Sequence, residues 1–178
     1  MASSPFSSLS PTDAVAALRS FPRRFDDASR AAAAAIDDDD PDQSEIDEFA
    51  ARTGSDGWSA LHHIAGATAR LEAVTPELRA ALVSPDRRIE DALIDPTPSE
   101  EPPPHSGSLP TELARLERAA AGLADELDRA DGDRWLGTRP TGGGSTATPL
   151  DVLRAAVEHS LDRLRGVEAV LREVRGRP

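Results

Sequence analysis

Thr148-Pro149-Leu150-Asp151-Val152-Leu153-Arg154-Ala155-Ala156-Val157 opens the stretch whose reading decides the fold. Thr caps a helix and Pro suits the first turn, where its missing N–H would be unpaired anyway. Asp at the third helical position complements exposed amides. From that start Leu150, Leu153, Val157, Leu164, Val167, Leu171 and Val174 recur at the spacing that keeps apolar side chains on one helical face. The same signature stands at Ser10-Pro11-Thr12-Asp13, followed by the stripe Ala14, Leu18, Phe21, Phe25, Ala28 and Ala32, with Pro22 expected to bend this first helix without ending it. A second long helix follows Trp58-Ser59 with Leu61, Ile64, Thr68, Leu71, Leu78 and Leu82, and Pro76 is expected to kink or divide it. Pro110 opens a third, carrying Leu113, Leu116, Ala120, Leu123 and Leu127 and ending near Asp131-Gly132. No segment alternates as a strand would. Four stripes, none able to bury its apolar face alone, predict an all-α four-helix bundle with strand content near zero.

Between these helices the chain reads differently. Asp37 to Asp42 and the polar residues up to Gly57 predict a solvated loop with a short helical turn around Ile46 to Ala50. Residues 84–108 include Pro85, Pro96, Pro98, Pro102, Pro103 and Pro104, which remove amide donors and predict a long, partly mobile crossing loop. The expected organisation is a flexible stretch at 1–9 and one domain over 10–175, since 178 residues suit a single core.

Composition excludes several chemistries. A net charge of -12 repels phosphate backbones, so no nucleic-acid partner is expected. No run is apolar enough for a bilayer and the start lacks the features of a secretory signal, which predicts a cytoplasmic protein without a membrane partner. With no cysteine and no lysine, thiolate and lysine chemistry are absent, and a metal would need His and carboxylate ligands. The Asp37–Asp42 run lacks the Gly and closing Glu of an EF-hand loop, and Gly142-Gly143-Gly144-Ser145-Thr146 lacks the Lys of a phosphate-binding loop. The glycine run reads as a flexible connection at the same end as the start of the second long helix. Serine-hydrolase chemistry lacks its Gly-x-Ser-x-Gly elbow. Trp58 and Trp135 read as packing residues and His105 as an exposed loop residue.

Three patterns occur in order: Gly57-Trp58-Ser59-Ala60-Leu61-His62-His63-Ile64-Ala65-Gly66, then Arg134-Trp135-Leu136, then Thr148-Pro149-Leu150 with Glu158-His159-Ser160-Leu161-Asp162-Arg163. Together they resemble the DinB/YfiT-like superfamily, across most of the chain. The resemblance implies a four-helix bundle with long connections between helices 1 and 2 and helices 2 and 3. It also implies a divalent metal held by three histidines, and a thiol-dependent transfer or isomerisation. Carried over residue by residue, the three ligand positions fall on Gly66, His159 and Arg163, so one imidazole survives. Glycine has no ligating atom, and a guanidinium is a permanent cation that repels a metal. The glutamate with which the family caps its second helix is His62 here.

The pocket candidates are therefore His62, His63, Gly66, His159 and Arg163. The expectation is a small-ligand-binding or interaction module without a resident cofactor, its metal site degenerate and Arg163 free to meet a carboxylate or an anionic ligand. The alternative is a Zn- or Ni-dependent thiol transferase, with His62 or His63 joining His159 and Glu158 around the metal. The heptad spacing of the last helix would also permit a homodimer.

Overall fold

The computed structural model describes residues 8–34, 42–97, 101–130 and 132–176. It is mostly helical: α1 (Pro11–Ala34), α2 (Gln43–Ala51), α3 (Ala60–Val83), α4 (Leu109–Asp128), α5 (Gly132–Leu136) and α6 (Pro149–Arg175). The four long helices share one core, α1 packing on α4 and α6, and α3 packing on the same two. No described helix is long and apolar enough to cross a membrane.

The caps lie where the sequence places them. Thr148 accepts from the Asp151 amide while the Asp151 side chain accepts from the Thr148 amide, which closes a capping box at α6. Ser10 accepts from the Asp13 amide at α1. All seven stripe residues of α6 are buried against the chain's own core, which leaves that face unavailable to a second copy. In α3 every stripe residue is buried and the helix runs undivided through Pro76. Phe21 and Phe25 of α1 are fully buried either side of Pro22, Ala28 is half-buried, and the side chain of Ala32 lies outside the described residues.

The connections depart from expectation. Asp37 to Pro41 and residues 1–7 lie outside the described residues, but Asp42 caps α2 in a capping box with Glu45, and Ile46, Phe49 and Ala50 are buried. That segment is a core element, longer than the turn expected. Leu9, in the stretch expected to be flexible, is held by its carbonyl, which accepts from Arg154 Nε at 3.0 Å. The proline-rich connection is docked in places. Ile89 is buried and its amide donates to the Pro140 carbonyl, a 3-10 turn spans Asp91–Leu93, and the Ala92 and Leu93 carbonyls accept from the Arg70 guanidinium. Arg139–Pro140 and Thr146–Ala147 form a two-residue antiparallel pair, β1 and β2, where no strand was expected. The glycines between them supply the turn, Gly144 at φ 82°. Arg139 Nε donates to the Ala81 carbonyl, so this hairpin sits by the end of α3, not by its start.

Candidate functional site

The turn before α3 builds one wall. Gly57 takes φ 81°, a left-handed conformation natural to glycine, and brings the Trp58 ring under the helix start. Gly54 N donates to the Trp58 carbonyl at 2.7 Å, Trp58 N donates to Asp56 Oδ1, and Ser55 N donates to Glu173 on α6. Trp58 is thereby 7% exposed with one face available for stacking.

Arg163 takes that face. Its Cζ lies 4.4 Å from the Trp58 ring centre, a cation–π contact, and its Nε donates to His159 Nε2 at 3.3 Å. The guanidinium lies over Gly66, where an added Cβ would meet Arg163 Nε at 3.4 Å. The three positions carried over from the family resemblance, Gly66, His159 and Arg163, therefore converge. What occupies their centre is the protein's own cation, and the surviving imidazole has its Nε2 lone pair committed to it.

His63 also packs against this tryptophan, its ring centre 5.1 Å from that of Trp58 and tilted by 30°. Its seat is made by Gly166 on α6, where any Cβ would overlap the ring. Its Nδ1 is buried without a hydrogen-bond partner. Burial first, and then the Arg163 charge, push both His63 and His159 down to about 4, so both are neutral near pH 7. For His159 the Arg70 charge adds to this, while Asp162 and the Gly66 backbone oppose it. Burial also lowers the pKa of the Arg163 guanidinium, and Asp162 opposes that shift.

His62 is placed elsewhere. Ser59 N donates to His62 Nδ1 at 3.0 Å and His62 N donates to Ser59 Oγ, a capping box with imidazole in place of the usual carboxylate. Because Nδ1 accepts, the proton of the neutral ring sits on Nε2, and neither nitrogen offers a lone pair to a metal. His105 is half-buried and not a loose loop residue: its ring stands edge-on to that of His62 at 4.4 Å, and its Nδ1 accepts from the Gly107 amide. Trp135 is buried in the core, as a packing residue should be.

A cavity of about 440 Å³ opens between these groups, lined by His63, His159, Arg163, Ala155, Glu158 and Asp162 and by Ile94 to Thr97 of the docked loop. Gly66 and His62 are not among the residues that line it. Sequence reasoning missed three parts of this arrangement. Gly166 is an isolated glycine inside a helical stripe, which signals close packing. Arg70 stands one turn beyond Gly66 and holds the loop that forms the far wall. The loop's docking left no pattern, because backbone carbonyls bonded to a distant arginine have no sequence signature.

The donor set does not fit a three-imidazole metal centre. Of its three positions one lacks a side chain, one is cationic and one has its Nε2 taken, and among the described residues no group of three or more His, Asp or Glu could hold an ion. Compared with known proteins, the chain matches no family model, no curated protein and no solved structure.

Proposed function

We propose that the chain is a DinB/YfiT-like four-helix bundle whose metal position has passed to an arginine, and that it acts as a binding module for a small anionic ligand. The observation that carries this reading is Arg163. Its guanidinium is fixed by Trp58 and His159 and lines the cavity, and none of its interactions among the described residues is an ion pair. A planar cation with its Nε anchored and its terminal N–H groups uncommitted is pre-organised to accept a carboxylate or phosphate in two parallel hydrogen bonds. With His63 and His159 neutral, it is the only cation lining the cavity among the described residues. The convergence of Gly66, His159 and Arg163 also supports the family resemblance, since that alignment required the three positions to meet.

Among the described residues no feature favours a thiol transferase. The test is titration of isotope-labelled protein with butyrate. Amide signals of His63, Gly66, His159 and Arg163 should shift together and saturate, and Arg163→Gln should weaken binding by at least about tenfold, the loss expected when one charge-assisted hydrogen-bond pair is removed. Shifts spread over the surface without saturation, or binding unchanged by Arg163→Gln, would remove the basis for this function.

A further inference from the structure

The cavity's charge is not that of a simple anion site. One helix supplies two adjacent rows: His159 and Arg163 form one, and Glu158 and Asp162, one residue earlier in each case, form the next. Residues four apart stack along a helix, so the two rows run side by side and present opposite charge to one space. Asp95 adds a third carboxylate from the loop that closes the far side. Asp162 is also bonded to Arg165 at 2.8 Å and Glu158 has an interaction of its own, so the acidic row acts through its field and needs no unpaired member. A ligand carrying only negative charge would be drawn by Arg163 and opposed by three carboxylates, on a chain whose net charge is already -12. A ligand bearing both charges satisfies both rows.

We infer that the cavity takes a small zwitterion of the amino-acid class, its carboxylate on Arg163 and its ammonium toward Asp95, Glu158 and Asp162. This rests on the reading of Arg163 as an anion receptor. Short apolar side chains, Ala155 on α6 and Ile94 and Pro96 on the loop across from it, also line the cavity and suit a few methylene groups. About 440 Å³ lies at the small end of the range for ligand pockets.

Three probes with the same four-carbon skeleton separate the possibilities: 4-aminobutyrate, butyrate and butylamine, each titrated into the full-length protein by calorimetry and by amide shifts. The expected order is 4-aminobutyrate first, tighter than butyrate by about tenfold, with butylamine weakest. Asp95→Asn combined with Glu158→Gln should collapse the preference of 4-aminobutyrate over butyrate, with circular dichroism checking that the variant keeps its helices. If butyrate binds as tightly as 4-aminobutyrate, or the preference survives the double substitution, the zwitterion assignment is wrong while the anion receptor stands. If neither carboxylate binds, or butylamine binds best, both readings fall.

Discussion

Gly66 and Arg163 work as one unit, because the absence of a side chain at the first makes room for the guanidinium of the second. The consequence is asymmetric. An imidazole introduced by Gly66→His must displace Arg163, whereas Arg163→His removes the obstructing cation and leaves the space over Gly66 open. Zinc affinity should therefore rise little in either single variant and by at least about 100-fold when the two are combined, since three convergent imidazoles supply the ligand count that one cannot. Binding measured against a competing chelator decides this, and stability must be followed separately without metal because glycine in a helix interior is itself unfavourable by about 1 kcal/mol. Stoichiometric zinc in the unmodified protein, lost on His63→Ala with His159→Ala, would overturn the view that this position has passed from metal to arginine.

At the scale of the element, α3 begins on an imidazole. His62 Nδ1 accepts the Ser59 amide only while the ring is neutral, and burial, followed by the nearby His105, lowers its pKa. The cap is therefore complete above the ordinary histidine value of 6.5 and is lost as pH falls through the lower folded value. Ser59→Ala should destabilise the protein by about 1 kcal/mol, the usual worth of a helix cap. His62→Ala should remove the reciprocal bond, and His62→Glu should restore it and hold it to lower pH. Hydrogen exchange of the Ser59 and first-turn amides reads this directly. Equal protection in the His62→Ala variant and the native chain would mean that the imidazole contributes no cap. The same element carries Arg70 to the Ala92 and Leu93 carbonyls, so α3 positions both the back of the cavity and the loop in front of it.

Across the whole molecule, the two neutral histidines couple the cavity to folding stability. His63 and His159 are held down to about 4 in the folded chain, against an ordinary value of 6.5. Between those limits the unfolded chain binds more protons, so stability rises with pH there. The contribution is complete above about 6.5 and is lost as pH falls toward 4. The urea midpoint should drop steadily from pH 7 to pH 5, a window in which most carboxylates stay ionised. Replacing both rings, as His63→Asn with His159→Asn, should flatten most of that slope. An unchanged slope in the double variant would show that the rings titrate normally and are not desolvated.

Sequence alone determined what depends on neighbours within one or two helical turns. The stripes of α1, α3, α4 and α6 and the caps at Ser10, Ser59 and Thr148 were legible because they follow from a period of 3.6 and from amides left unpaired at a helix start. The nearness of His159 and Arg163 was legible too, since they lie one turn apart on a single helix. Tertiary structure decided the rest. The guanidinium over Gly66, the His63 ring against Gly166 and the cation–π contact with Trp58 each join α6 to residues about a hundred positions earlier. The docking of Ile89 to Leu93 likewise rests on partners elsewhere in the chain, the Pro140 carbonyl and the Arg70 guanidinium. Whether Arg163 would meet a carboxylate, open solvent or a cavity was open in the sequence for the same reason. A side chain's surroundings are set by which helices pack against its own, and only the folded chain brings those surfaces together.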